Sequence, residues 1–306
     1  MVDKRLFTKI AFTIAVTVLI IMNLYTFIAA YPETYAVSPG ISTSGTILAK
    51  DFSAYYMGAW RLWNNPAHIY SFGALNDGEP IILPHPEGYK YLPSFLLIVS
   101  PLLSLNYQDA LTAFDLIQFM LLPLTAYFLY KLLDKKPLAV TFIVIAIALL
   151  LPFPSTKGLF SLSYYWQWGE GQAKVFVIFL LLLSFYLGNK GRPVLSGVSM
   201  ALGFFDPRFG LLAIPLFIMY NRKNLKVAGA SAIGALAMSN LMLLYPGMTP
   251  NFLTMAFASG LRTPLYYYSL IPLCTLLALI VVNFKDLIAA FDYKRLFANF
   301  TRTTET

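Results

Sequence analysis

Charge is what this sequence has least of. Asp, Glu, Lys and Arg make up 12% of its 306 residues, against roughly 25% in a soluble globular domain. A water-soluble enzyme, a nucleic-acid binder and a disordered chain are all poor readings of such a composition. Cysteine is almost absent: Cys274 stands alone inside an apolar run, which excludes an intrachain disulfide and a Cys-based metal site. Histidine occurs twice, as His68 and His85, and neither has a His, Asp or Glu at ligand spacing on a regular element. The sequence contains no P-loop, G-x-G-x-x-G, HExxH or G-x-S-x-G pattern. That argues against an ATP-driven pump, a nicotinamide enzyme, a zinc protease and an α/β-hydrolase. It has no repeat of fixed period and no low-complexity tract.

What the chain has in abundance is apolar sequence, with 58% hydrophobic residues and a mean hydropathy of +0.67. The net charge of +8 sits mostly in short clusters between apolar runs, as in the cytoplasmic loops of membrane proteins. The chain therefore reads as an all-α polytopic membrane protein. Ile10 to Ala30, behind Lys4, Arg5 and Lys9, is long enough to cross about 30 Å of hydrocarbon. It lacks a good small-residue cleavage site and reads as a retained first helix with a cytoplasmic N-terminus. Residues 31–90 form the only long polar segment, and loops of that length are usually functional or disordered. Within it, Phe52, Tyr56, Ala59, Trp60 and Trp63 fall on one face of a helix suited to the membrane interface.

Further apolar runs cover roughly 92–105, 110–130, 138–153, 172–187, 194–205, 209–220, 227–245 and 265–283. The basic clusters at 190–192 and 222–226, and the basic segment after 284, place their connections inside. The connections at 154–171, 206–208 and 246–264 then lie outside, with the 31–90 loop. Parity requires that one run between 92 and 153 fail to cross or that an unrecognised segment cross. The run at 92–105, about 21 Å at 1.5 Å per residue, is the natural half-span. The count comes to roughly eight or nine crossings at about 20 residues each. The chain divides into a module over 1–225, C-terminal transmembrane helices over 226–284 and a cytoplasmic tail over 285–306.

An ionisable group at membrane depth is expensive and by default marks a functional site. Asp51, Glu170, Lys174, Asp206, Arg208 and Arg262 are the external-side candidates, and Asp115 interrupts an apolar run with Gln118 one turn on. Asp51 reads as a helix N-cap or as a general base at the membrane surface, and the two are compatible. In Trp166-Gln167-Trp168-Gly169-Glu170-Gly171-Gln172-Ala173-Lys174 the glycines permit a tight turn into a helix whose free N–H groups suit an anion or a sugar hydroxyl. The same stretch also reads as an aromatic belt with a Glu170–Lys174 helical pair. Asp206-Pro207-Arg208 joins two runs too short to bring the connection fully out of the bilayer. Arg208 there is either locally paired with Asp206 or faces a cavity and neutralises a lipid phosphate. His68 and His85 are placed to contact phosphate or sugar in an external cleft.

Asp51-Phe52-Ser53-Ala54-Tyr55-Tyr56-Met57-Gly58-Ala59, Ile69-Tyr70, Tyr89-Lys90-Tyr91-Leu92-Pro93 with Pro101-Leu102, Gly171-Gln172-Ala173-Lys174 and Asp206-Pro207-Arg208 follow one another in order. Over roughly residues 1–225 this series resembles the GT-C glycosyltransferases. It is most similar to glycosyltransferase family 87, the polyprenyl-phosphate-mannose-dependent mannosyltransferases. The resemblance implies a GT-C-like transmembrane helix bundle with a large external loop containing interfacial helices. It implies an inverting transferase in the cell membrane, with both termini cytoplasmic and its site on the external face. The donor would be mannose on a polyprenyl or dolichyl phosphate entering from the lipid bilayer, and the acceptor a lipid or glycan hydroxyl. Asp51 would be the base, Lys174, Arg208 and Arg262 the cations for the leaving phosphate, and Tyr55, Tyr56, Trp166 and Trp168 the flanks of the sugar. Tyr91, Gln172, Glu170 and Asp206 complete the expected binding set. No cofactor and no nucleic acid is expected, while a divalent metal stays open. A catalytically inactive subunit of the same fold and a secondary transporter are the rival readings, although transport favours inverted repeats, which this sequence does not have.

Overall fold

The computed structural model describes residues 14, 17, 49–71, 88–133, 171–255 and 270–290. The expected first helix, most of the long loop, the run at 138–153 and the candidates His85, Trp166, Trp168, Glu170 and Arg262 lie outside the described residues.

Helix α1 spans Lys50–Asn64, α2 Ser94–Val99, α3 Tyr107–Leu132, α4 Lys174–Asn189 and α5 Pro193–Gly203. They are followed by α6 Pro207–Asn221, α7 Leu225–Ser239, α8 Met248–Met255, α9 Leu270–Val282 and α10 Phe284–Ala290. The described residues contain no strand, and the fold is all-helical as the apolar periodicity predicts. Helix α4 is the centre of the packing and touches α3, α5, α6 and α9. Its mean composition is apolar on every side, as befits a helix surrounded by others. The core runs from Phe52 and Phe114 through Phe176, Leu181 and Phe185 to Leu216 and Leu279, all buried.

Among the described residues only Tyr107–Leu132 is long and apolar enough to cross a membrane. Its start is fixed by Asn106, whose side chain accepts a hydrogen bond from the Asp109 N–H at 2.9 Å, a standard N-cap. The run at 92–105 breaks into α2 and a 3-10 turn over Ser100–Ser104, with Pro101 at the junction. At roughly 19 Å this hairpin arm falls short of the ~30 Å of a bilayer core.

Two expectations are corrected. The run at 227–245 is not one helix: α7 stops at Ser239 and a 3-10 turn covers Leu241–Leu244. The break is Asn240, whose amide donates back to Leu236 O at 2.8 Å while its Oδ1 accepts the Ser94 N–H at 3.0 Å. A side chain that competes for backbone partners ends a helix, and here the same side chain supplies a partner to the first turn of α2. Helix α1, expected to lie in the interface with one apolar face, is buried on all sides from Phe52 to Ala59. Trp63, 64% exposed, is its only fully exposed aromatic, and its indole donates to Ser100 Oγ at 2.8 Å.

Backbones approach closely where α5 meets α7. A Cβ on Gly197 would stand 2.4 Å from Ala228 O and 2.7 Å from Ala232 N, so small residues on both helices set this distance. Gly197→Ala should therefore lower stability by about 1–3 kcal/mol through overpacking. Gly229→Ala, whose Cβ would meet nothing within 4 Å, should be neutral or stabilising by up to about 1 kcal/mol. Thermal midpoints of the two purified variants check the contrast, and equal midpoints would refute it.

Candidate active site

Helices α1, α4 and α6 begin at one corner of the molecule. Gly171 makes the first of these meetings possible. Its φ is +65°, a left-handed conformation, and a Cβ there would lie 2.6 Å from the Cβ of Phe52. The three residues before α4 are thus pressed onto the first turn of α1, next to Asp51. Gly171→Ala should cost about 2–3 kcal/mol, combining left-handed backbone strain with displacement of α1. A thermal melt of the purified variant beside the wild type checks this.

The second meeting is electrostatic. Asp206 caps α6, and its Oδ1 accepts from the Arg208 N–H at 3.3 Å. Arg208 folds back on the same carboxylate with both prongs of its guanidinium, Nε to Oδ1 at 2.9 Å and an Nη to Oδ2 at 2.7 Å. Lys174, the first residue of α4, places its Nζ 3.5 Å from Asp206 Oδ2. Asp206 is fully buried, and the Lys174 side chain is only 8% exposed. Burial pushes the Asp206 carboxyl up, but Arg208 and Lys174 outweigh it and hold it below the ordinary carboxylate range. Arg208 is thus paired locally with Asp206, and its side chain still keeps 26% of its surface exposed.

Tyr91 and Phe209 sandwich the two cations. Lys174 Nζ lies 5.6 Å from the Tyr91 ring centre and 5.7 Å from that of Phe209, and the Arg208 guanidinium is 5.9 Å from each. Such contacts lower the energy of a desolvated cation by about 1–2 kcal/mol. Lys174 also donates to the Tyr91 hydroxyl at 3.4 Å. Tyr91 is held from its own backbone, because its carbonyl accepts from Tyr70 Oη at 3.0 Å. One residue on, the Leu92 N–H donates to Phe205 O at 3.1 Å, immediately before Asp206.

Tyr55 connects the two meetings. Its ring lies 5.8 Å from Tyr91 and 6.4 Å, edge-on, from Tyr89. Burial pushes its phenol well up, and Tyr91 and Asp51 push it further in the same direction. The Arg208 guanidinium feels the Tyr55 phenol as well. One buried phenol therefore stands within electrostatic reach of both Asp51 and Arg208.

Of the sequence-predicted residues, Tyr55, Tyr91, Lys174, Asp206 and Arg208 come together, and the buried Gln172 lies between Gly171 and Lys174 at the same corner. Asp51 is half-buried in the first turn of α1. It is not the N-cap that spacing suggested, because the helix starts one residue earlier and Ala49, left-handed at φ 50°, occupies that position. Tyr56 is turned away from the cations, donating to Leu105 O at 2.7 Å and packing edge-on against Tyr107. His68 lies beyond the far end of α1, exposed, with its ring 3.2 Å from Ser71 Oγ. Asp115 and Gln118 are buried within α3. Tyr89 and Phe209 were not singled out as site residues, although each adjoins one that was: Tyr89 is two before Tyr91, and Phe209 follows Arg208. Among the described residues no group of three His, Cys, Asp or Glu side chains is arranged to hold a metal ion.

The model of glycosyltransferase family 87 matches residues 89–282, a span that includes Tyr91, Lys174, Asp206 and Arg208 and begins after Asp51. No curated protein and no solved structure matches the chain significantly. The match runs past residue 225, so the likeness continues through α7 and α9 rather than ending with the first module. Covering well over half of the sequence, it establishes that this chain belongs to glycosyltransferase family 87.

Proposed function

We propose that this member of the family is a polytopic, inverting mannosyltransferase using a polyprenyl or dolichyl phosphate donor. Its acceptor is a lipid or glycan hydroxyl on the outer face of the membrane. In the proposed reaction the Asp51 carboxylate takes the proton of the acceptor hydroxyl as its oxygen bonds to the anomeric carbon. The bond from that carbon to the phosphate oxygen breaks with its electron pair, inverting the configuration. The leaving phosphate gains one negative charge and needs cations rather than a proton. Lys174 and Arg208 are the two cations assigned to it, and the aromatic rings of Tyr55 and Tyr91 are assigned to the sugar.

The observation that carries this reading is the Lys174–Asp206–Arg208 cluster against the Tyr91 ring, with Tyr55 packed on Tyr91 and within electrostatic reach of both Asp51 and Arg208. A base and two cations around one aromatic cluster suit a substrate that presents a hydroxyl at one end and a phosphate at the other. Three helix N-termini at the same corner add partial positive charge on the phosphate side. The purified chain, offered polyprenyl phosphate bearing radiolabelled mannose together with a crude lipid acceptor fraction, should move the label to a new product. Retention of all label on the donor, in protein that melts cooperatively, would favour the inactive-subunit reading instead.

A further inference from the structure

The end of the bundle opposite this corner holds a cavity of about 690 Å³ where α3, α4, α6 and α9 finish and α7 and α10 begin. Its volume lies within the ~300–1,000 Å³ typical of small-ligand sites. It is about 24 Å from Lys174 along the axis of α4. Among the described residues, the cations Lys131, Lys190, Arg222 and Lys223 and the acid Asp286 line it. All five are exposed.

Cations gather at helix C-termini to offset the macrodipole, but here terminal carbonyls are already occupied. Leu187 O accepts from the Arg192 N–H at 2.9 Å, Asn221 O from the Asn224 N–H at 2.8 Å and Asn283 O from the Leu287 N–H at 2.8 Å. Among the described residues, Arg222 and Lys223 make no hydrogen bond or ion pair with any of these groups. The floor is polar, with Asn221 and Asn283 more than nine-tenths buried. Asn221 donates to Ser196 Oγ and Phe217 O, and its own carbonyl oxygen accepts nothing.

We infer that this basic cavity binds a phosphate-bearing ligand, a lipid phosphate headgroup or a free phosphate compound, independently of the transfer site. Guanidinium and ammonium groups at the ends of three helices around one cavity can give a phosphate several charge-assisted bonds. The inference does not depend on which sugar the protein transfers.

Native mass spectrometry of the full chain in neutral detergent, titrated separately with phosphatidylglycerol and with inorganic pyrophosphate, tests it. Wild-type protein should take up one equivalent of phosphatidylglycerol, pyrophosphate or both in a saturable step. The double variant Arg222→Gln/Lys223→Gln should weaken that step at least tenfold, and Lys190→Gln, at the C-cap of α4, should also weaken it if the double variant fails to fold. Lys226→Gln, at the second residue of α7 and outside the cavity lining, should stay within twofold of wild type. Competition by pyrophosphate would identify phosphate alone as sufficient, and undisturbed phosphatidylglycerol binding would identify the lipid as the ligand. A wild-type protein without a saturable step for either probe overturns the inference. So does equal weakening by Lys226→Gln, which would reduce the cluster to a general attraction between basic loops and anionic lipid.

Discussion

Asp51→Asn should lower the rate of sugar transfer by on the order of 10²–10⁴-fold, the usual contribution of a positioned general base, while leaving the protein folded. The substitution keeps size and shape and removes only the proton-accepting carboxylate. Its structural cost is small. Asp51 is half-buried, at the second residue of α1 and not at the cap, so no capping bond is lost, and its charge–dipole term is worth about 0.3–1 kcal/mol. Donor binding should hardly change, because the cations assigned to the phosphate belong to α4 and α6. The measurement is a single-turnover transfer rate beside a thermal midpoint and a donor-binding constant. Undiminished transfer by the variant would remove Asp51 from the mechanism. A matching fall in midpoint would show that the residue serves the helix instead.

The largest effect on stability is expected from Asp206→Ala, at about 3–5 kcal/mol, the cost of breaking a buried ion pair and leaving charge behind. Two cations depend on this carboxylate, one of them almost fully buried, and the cap on α6 is lost as well. The partial exposure of Arg208 argues for the lower part of that range, since a guanidinium that reaches water recovers some of its hydration. Lys174→Met should cost less in the Asp206→Ala background than in wild type, because it then removes an uncompensated charge. Additivity of the two variants would mean that Lys174 and Asp206 do not interact. The pH dependence follows from the same contacts. A carboxyl held below its ordinary value of 3.8 adds stability that is complete above that value. This stability is lost as the pH falls through the lower folded-state value. The thermal midpoint should therefore show no pH dependence from this group between about pH 5 and 8 and an acid-side loss below about pH 4. The loss should be absent from Asp206→Ala.

The helices were legible because burial inside other helices demands apolar runs, and those runs start and stop within a few residues of α3, α4, α5 and α6. The short Asp206-Pro207-Arg208 connection was legible for the same reason: charge between two apolar runs must find a partner nearby. Less visible was Asn240, since a single amide in an apolar run carries no periodic signal and acts only because Ser94, far away in sequence, needs an acceptor. The burial of α1 was hidden too. Its aromatic spacing fits an interface as well as a core, and only the docking of Gly171 on Phe52 decides between them. Lys174 was recognised as a cation at a helix start, but its partner lies 32 positions on, a separation at which pairing leaves no local pattern. Tyr89 and Phe209 look like ordinary aromatics until the fold sets them beside Tyr55 and the cations.

Lys174 stands at the positive end of its own helix, where a cation is ordinarily unwelcome. One carboxylate, Asp206, is paired with both it and Arg208, so among the described residues the cations assigned to the phosphate outnumber the acid they share. An incoming phosphodiester carries one negative charge, and the spent lipid carrier of the proposed reaction carries up to two. The corner should grip that departing carrier harder than the donor it admits. The same imbalance that favours bond breaking then retards unloading, making carrier release the slow leg of the cycle and added free carrier a strong inhibitor.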